Sequence, residues 1–370
     1  MKISILQQDL LPALQAVARS TGGKNLPVLA NILLQTGNGK IKLSATNLEI
    51  GVVKSVNAKV LEEGEITVPA RVFLEVVSSL AEEELEVESQ GEQIKVSAKK
   101  FNAKINGIGA NEFPPIPLSS EKGVFILGDV LKTGLPEVTF AAANDEGRPV
   151  LTGILTQIKE GLLELVATDG FRLAHKTANL ESSEEVKFSA LIPRRTFEEV
   201  VRLISEELGK EGDKVELSTS ENQNQVIFKI GQAQVSSRLI EGQFPAWEKI
   251  IPKSFQNRTV VDRMELLKAV KLASVFAKDA SNIVKIETGK DTIKLRSETK
   301  EIGGQEAEVE AQVEGEEITI AFNNKFLTDA LSAIPTSQIS IEFSGNLSPA
   351  LIKPVGQEGL DYVVMPIRLS

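Results

Sequence analysis

The sequence holds no cysteine and only one histidine, one tryptophan and one tyrosine in 370 residues. Without Cys there is no disulfide, no thiolate zinc site and no thiol nucleophile. A single histidine, His175, excludes a multi-histidine metal site within one chain. Phe occurs 15 times, but so few Trp and Tyr argue against a stacking platform for single-stranded nucleic acid. No apolar run approaches the roughly 18–20 residues of a membrane span. The start, Met1-Lys2-Ile3-Ser4-Ile5, leads into no apolar secretory segment. These absences fit a reducing, cytoplasmic setting with no membrane partner.

What is present is ordinary for a globular chain. The hydrophobic fraction is 42%, and the length predicts about two to three domains. The net charge of −10 argues against a protein that coats nucleic acid with general basic surface, and it leaves room for a local basic face.

The apolar pattern repeats. Phe73, Val76, Val77 and Leu80 fall at offsets 0, +3, +4 and +7, one face of a helix. The same spacing recurs at Phe197, Val200, Val201 and Ile204, and at Leu327, Ala330, Leu331 and Ile334. Leu10, Ala13, Leu14 and Val17 fit it, as do Leu266, Ala269, Val270 and Ala273. Leu131, Leu135 and Val138 make a weaker copy, which Gly134 and Pro136 should end or kink. The six helices begin near Asp9, Pro69, Asp129, Pro193, Asp262 and Asn323, roughly 60 to 70 residues apart. That period suits a half-domain.

Between the helices lie hairpin signals. Ile32–Leu34 with Ile41–Leu43, Ile154–Ile158 with Leu162–Ala167, and Val284–Glu287 with Thr292–Arg296 form one set. Leu85–Ser89 with Ile94–Ala98, Val215–Ser218 with Val226–Ile230, and Ile339–Phe343 with Ala350–Lys353 form the other. The pattern predicts an α+β chain of three similar domains, each with two helices and two small antiparallel sheets, over 1–120, 121–250 and 251–370. Phe113-Pro114-Pro115-Ile116-Pro117, Phe244-Pro245-Ala246-Trp247 and Ile250-Ile251-Pro252 read as semi-rigid joints between them. Simple duplication without geometric purpose is the alternative.

The expected helices carry eleven basic and nine acidic residues, so the acidic excess lies outside them. Arg71, Arg194, Arg195, Arg263 and Lys325 sit in first turns, where a cation opposes the helix dipole at up to roughly 1 kcal/mol. An anionic partner facing those ends would explain them. Pairing with local acids, such as Arg71 with Glu75, is the alternative. No helix has the surface of a sequence reader, so any nucleic-acid contact should be to phosphates.

Four segments carry a resemblance to a known family. They are Leu26-Pro27-Val28-Leu29-Ala30-Asn31-Ile32-Leu33-Leu34, Thr67-Val68-Pro69-Ala70-Arg71, Val166-Ala167-Thr168-Asp169-Gly170-Phe171-Arg172-Leu173-Ala174 and Tyr362-Val363-Val364-Met365-Pro366-Ile367-Arg368-Leu369. With them the chain resembles, over essentially its full length, the bacterial DNA sliding clamps, the beta subunits of DNA polymerase III. The resemblance implies the DNA clamp fold assembled as a head-to-tail dimeric ring, with helices inside, sheets outside and double-stranded DNA through the hole. It implies a replication processivity factor without a cofactor. Its partners would be a second copy, the polymerase III catalytic subunit, a clamp loader, and other polymerases and repair proteins bearing clamp-binding peptides.

By position in the matching motifs, the resemblance implies DNA contacts at Lys24, Arg71, Arg194 and Arg195. Helix placement adds Lys132, Arg202, Lys268, Lys271 and Lys325 as weaker candidates. The resemblance assigns a partner-peptide cleft to Arg148, Leu151, Thr168, Gly170, Phe171, Arg172, Leu173, Pro245, Lys249, Ile250, Asn323, Phe326, Val363, Met365, Ile367 and Arg368. The apolar terminus must pack somewhere, and adaptable Met suits varied partners; burial of these residues in the core is the alternative. Phe326, Ile367 and the Pro149-Val150 pair differ from residues more usual in the family, which implies a differently shaped cleft. Phe101 and Ile105 are assigned to a dimer interface with Val275 and Phe276 of the partner, internal core being the alternative.

No Walker loop, nucleophile elbow or dinucleotide fingerprint occurs. Asp145-Glu146 and Thr168-Asp169-Gly170 read as turns rather than acidic catalytic groups. No catalytic residue and no metal site is therefore expected. A scaffold that never encircles DNA is the competing reading.

Overall fold

The computed structural model describes every residue except 23–25, 82, 118, 120–122, 146, 181–186, 221–223, 278–281, 300–302 and 369–370. Lys24, Glu146 and Lys278 therefore lie outside the described residues. The first stretch of chain forms β1 (Lys2–Leu6), α1 (Gln7–Ala18), β2 (Asn31–Gly37), β3 (Lys40–Thr46), β4 (Ile50–Asn57), β5 (Lys59–Glu62), β6 (Gly64–Pro69), α2 (Ala70–Ser78), β7 (Glu84–Gln90), β8 (Gln93–Ala98) and β9 (Phe101–Asn106). The next forms β10 (Val124–Leu127), α3 (Gly128–Gly134), α4 (Pro136–Thr139), β11 (Gly153–Lys159), β12 (Leu162–Thr168), β13 (Arg172–Asn179), β14 (Phe188–Pro193), α5 (Arg194–Glu207), β15 (Lys214–Thr219), β16 (Gln225–Ile230) and β17 (Ala233–Arg238). The last forms β18 (Asn257–Asp262), α6 (Arg263–Ala277), β19 (Ile283–Thr288), β20 (Thr292–Thr299), β21 (Gly303–Gly315), β22 (Thr319–Asn323), α7 (Asn324–Ala333), β23 (Gln338–Phe343), β24 (Ala350–Pro354) and β25 (Leu360–Val364).

The helices lie where the apolar spacing puts them. Leu10, Ala13, Leu14 and Val17 are all buried on α1, and Leu327, Ala330, Leu331 and Ile334 are buried along α7. The weak copy is broken at Leu135, separating α3 from α4. Pro136 has no N–H, and its ring would clash with the carbonyl four residues back, so the helix cannot run through. The six expected hairpins all form. At the β11–β12 turn Glu160 and Gly161 both have positive φ, 53° and 75°, the left-handed pair that a two-residue hairpin needs.

The sheets differ from expectation. Among the described residues the strands form three sheets, of five, eight and twelve strands, instead of six small ones. Their orders are β5-β1-β7-β8-β9, then β10-β15-β16-β17-β4-β3-β2-β6, then β14-β11-β12-β13-β25-β24-β23-β18-β21-β20-β19-β22. Three edge-to-edge pairings cause the fusion. Strand β4 pairs antiparallel with β17, setting Val52 against Val235. Strand β13 pairs antiparallel with β25, setting Leu173 against Val363. An unpaired edge exposes a row of N–H and C=O groups, and pairing two edges satisfies both rows. Gly51 lets the first seam close: a Cβ there would lie 2.8 Å from Ser236 Oγ. The twelve-stranded sheet is held together in its second half by β21, which pairs with both β18 and β20.

Two compact units result. One comprises Met1–Lys132 with Arg195–Leu239 and holds the five- and eight-stranded sheets; the other comprises Thr133–Arg194 with Ile240–Ser370 and holds the twelve-stranded sheet. The stretches expected as joints are packed rather than free. Phe113 is buried with Val28 and Leu33, and Ile116 packs against them. Trp247 is buried with Val166, Leu173, Leu351 and Val363, and Phe244, Ile250 and Ile251 pack on that cluster. Their apolar side chains make them parts of each unit's core.

Candidate partner-binding site

The turn between β12 and β13 builds one end of the site. The Thr168 hydroxyl donates to the Arg172 carbonyl (2.6 Å) and accepts the Gly170 N–H (3.0 Å). Asp169 Oδ1 accepts the N–H groups of Phe171 (2.9 Å) and Arg172 (3.0 Å). Thr168-Asp169-Gly170 is thus the turn its residue types imply, with short polar side chains closing on local backbone. Gly170 has φ +91°, and a Cβ there would stand 3.1 Å from Arg148 Nη1. The turn lifts Phe171 into solvent, 56% exposed, where its ring stacks on Phe326 at 6.3 Å.

Arg172 ties this turn to two helices. Its guanidinium donates to Asp169 (3.1 Å), to Asp329 (2.6 Å) on α7 and to the Phe140 carbonyl (2.8 Å) just past α4. It also lies over the rings of Phe140 and Phe326. Two carboxylates and two aromatic faces around one buried cation compensate its desolvation. Arg172 is therefore a fixed strut, with its donors used inside the chain. Tyr362 adds a second tie, donating to the Glu137 carbonyl at 2.7 Å. Burial, with the nearby Glu137 charge, pushes the Tyr362 pKa up and keeps the hydroxyl a donor.

Beside the turn lies the apolar patch. Leu173, Val363 and Ile250 of the predicted cleft meet there, together with Val166, Leu351 and Trp247. Past β25, Met365 N–H donates to the Phe171 carbonyl (2.9 Å), and Ile367 N–H to the Ala321 carbonyl (2.7 Å) of β22. Met365 is exposed, and Ile367 is half-buried.

The other predicted cleft residues are placed less closely. Leu151 is buried, its N–H on the Arg148 carbonyl and its own carbonyl accepting from Ala143. Pro245 offers its carbonyl to Trp247. Asn323 caps α7, its Oδ1 accepting the Lys325 N–H at 3.0 Å. Lys249 and Arg368 are exposed. The sequence reading missed Trp247, Leu351, Asp329 and Phe140. Trp247 carried a signal, being the single Trp in an apolar, proline-flanked stretch. The other three are brought in only by tertiary pairing.

The predicted cations divide. Arg71 pairs with Glu75 at 2.8 Å on the surface, the local pairing foreseen as an alternative, and that carboxylate raises its pKa. Arg194 Nη1 donates to Asn144 at 2.9 Å, and Arg195 is exposed. Arg263 donates to the Leu331 and Thr336 carbonyls, so it satisfies the end of α7 instead of facing an anion. Arg202 pairs with Glu199 and Glu206 and donates to the Ala16 carbonyl. Lys132, Lys268, Lys271 and Lys325 are exposed. Of the residues assigned to a dimer interface, Phe101 and Val275 are exposed, Phe276 is half-buried, and Ile105 is buried at 6% exposure. Among the described residues no acidic or histidine cluster has the makings of a metal site.

The architecture is that of a serially repeated α+β protein whose strand edges join successive repeats. Comparison with known proteins makes the class specific. The chain matches, in order, the N-terminal (residues 1–117), central (126–246) and C-terminal (248–368) domains of the DNA polymerase III beta subunit. It is 31% identical over 377 residues to the beta sliding clamp of Synechococcus elongatus, covering 100% of both chains. It superimposes on the crystal structure of the DNA polymerase III beta subunit of Pseudomonas aeruginosa with a TM-score of 0.94 at 28% identity, covering 100% of both. A Pseudomonas aeruginosa sliding clamp bound to griselimycin aligns at a TM-score of 0.91 and 27% identity, again over 100% of both. The chain belongs to the DNA polymerase III beta subunit family, the bacterial sliding clamps.

Proposed function

We propose that this protein is a replication processivity factor. Three domains, 1–120, 121–250 and 251–370, would pair head to tail with a second copy, and closure after two copies yields a ring around double-stranded DNA. The observation that carries this reading is the kinship of the whole chain, in three successive domains, with sliding clamps. Exposed Phe101 and Val275 supply apolar surface for the subunit contact, with Ile105 and Phe276 behind them.

The ring holds DNA by topology. Lys24, Arg71, Arg194 and Arg195 contribute loose phosphate contacts, which carry no sequence information and permit sliding. The net charge of −10 lies mostly outside the helices and repels DNA elsewhere. The chain performs no chemistry of its own. It tethers the polymerase III catalytic subunit, and in turn other polymerases and repair proteins, through peptides that dock on the apolar patch between Ile250, Leu173, Val363 and Met365. The Phe171–Phe326 stack borders that patch as an apolar wall. A clamp loader opens one interface, since a closed ring cannot thread circular DNA unaided. The setting is the cytoplasm, where bacterial replication takes place.

The test is retention of the loaded protein on closed-circular duplex DNA before and after a single linearising cut. A clamp stays on the circle and is lost from the linear form. Equal retention on both supports the non-encircling scaffold instead.

A further inference from the structure

The single histidine and the single tryptophan of the chain lie against each other, and both belong to the face that carries the apolar patch. The register sets Leu173 against Val363 and Val363 against Leu351. On the same face His175 stands opposite Val166 of β12 and Asp361 of β25. His175 Nε2 is 3.0 Å from Glu164 Oε1, and Nδ1 is 3.3 Å from Asp361 Oδ2. Its ring centre is 4.6 Å from that of Trp247. Trp247 in turn packs with Leu173, Val363 and Ile250.

Both ring nitrogens face carboxylates, so only the imidazolium can donate to both. A neutral ring would turn a lone pair toward one of them. Loss of the proton also removes the cation from beside the indole. The charged groups around the ring come from each neighbouring element. Strand β12 gives Glu164 and β25 gives Asp361. Lys353 of β24 is 3.9 Å from Asp361 and 3.7 Å from Glu342 of β23. Glu248 and Lys249, in the Trp247 turn, are exposed. Lys176, next on β13, points to the opposite face and pairs with Glu137 at 2.7 Å.

We propose that His175 is a positioning residue for the partner-peptide cleft. Its proton ties β12 and β25 together beneath Trp247 and holds Leu173, Val363 and Ile250 in the binding arrangement. Peptide affinity then falls as pH rises through the His175 titration. This regulation rests on the cleft reading given above. Burial alone would pull the His175 pKa down, but the hydrogen bonds and charges of Asp361 and Glu164 outweigh it and hold the pKa above the ordinary 6.5. The proton is therefore kept to higher pH than an isolated histidine would keep it.

The test uses the full chain and a histidine-free synthetic peptide bearing the clamp-binding segment of a polymerase III catalytic subunit. Its Kd is measured from about pH 6 to pH 9. Trp247 fluorescence and the His175 imidazole NMR signal are followed in parallel, each unique in the chain. The expected result is a Kd that rises about tenfold, within the usual range of coupling between sites, with the midpoint of the His175 signal. His175→Gln should abolish the step and bind at the weak, alkaline level. Glu164→Gln should move both midpoints to lower pH together. A Kd that stays flat while His175 titrates overturns the proposal and leaves the cleft intact, as does a step that survives in His175→Gln. Absence of peptide binding at every pH, with the His175 and Trp247 signals still titrating, overturns the cleft reading and this inference with it.

Discussion

The guanidinium carbon of Arg172 lies 4.8 Å from the centroid of the Phe326 ring, and Asp329, three residues further along α7, accepts a hydrogen bond from the same guanidinium. Residues three apart share one helix face, so α7 presents a ring and a carboxylate to one buried cation. Asp169 and the Phe140 carbonyl complete its surroundings. Replacing Arg172 by Ala leaves two carboxylates without their cation. Because Asp329 is partly exposed, the expected cost is toward the lower end for a broken buried pair, about 3 kcal/mol. Arg172→Lys should recover part of it, since an ammonium restores charge but not the fork geometry. Urea unfolding followed by Trp247 fluorescence measures both variants. A loss below about 1 kcal/mol in Arg172→Ala would show that the strut bears little of the fold.

Gly170 offers a sharper backbone test. With φ +91° it occupies a conformation that an L side chain rarely adopts, and an added Cβ would meet Arg148 Nη1 at 3.1 Å. Gly170→Ala should cost about 2 kcal/mol and shift the Phe171 carbonyl that holds Met365. Gly356→Ala is the control in the same unit: φ is +80° there, but the space is open, so a smaller loss of about 1 kcal/mol is expected. Thermal unfolding of the two variants side by side distinguishes crowding from backbone strain. Equal losses would mean that Arg148 simply swings away.

The helices and hairpins were legible because their signals are local. A face such as Leu327, Ala330, Leu331 and Ile334 is written within a few turns of chain, and all four side chains are buried. The break at Leu135 followed from Gly134 and Pro136 alone. The seams were not legible. Val52 and Val235, or Leu173 and Val363, are separated by about 180 to 190 residues, and edge pairing adds no mark to either strand. The site divides in the same way. Its apolar members stood out in an apolar terminus, whereas Asp329 and Phe140 acquire their roles only when Arg172 arrives between them. Charge placement misled at Arg263, whose first-turn position was read as exposure to an anion. It serves the carbonyls of Leu331 and Thr336 instead.

Arg194 and Arg195 carry the charge-reversal prediction. Arg195 is exposed, and Arg194 donates to Asn144. Changing both to Glu should weaken retention on circular DNA at least about tenfold at moderate salt. It should also lower the slope of log affinity against log salt by about 2, since each lost phosphate contact releases one counterion fewer. Peptide affinity should be unchanged. Wild-type retention and salt dependence in the double variant would move the DNA contacts to other cations, with Lys268 and Lys271 the next to reverse.

Removal of Met365–Ser370 separates the tail's binding role from its structural one. Among the described residues of the segment, Met365 and Ile367 donate backbone hydrogen bonds to the Phe171 and Ala321 carbonyls, each worth about 1 kcal/mol net. Strand β25 ends at Val364, so its pairing with β13 and β24 remains intact. Tyr362 keeps its bond to Glu137. The truncated chain should therefore fold and dimerise, with a stability loss of only about 2 kcal/mol. Its affinity for a polymerase peptide should fall more than about tenfold, because exposed Met365 borders the patch and is adaptable enough to close over a bound side chain. Solution mass and calorimetric peptide binding on the same sample decide the matter. A truncated dimer that binds as well as the full chain would place the docking surface away from the tail, on the Trp247 side of the patch.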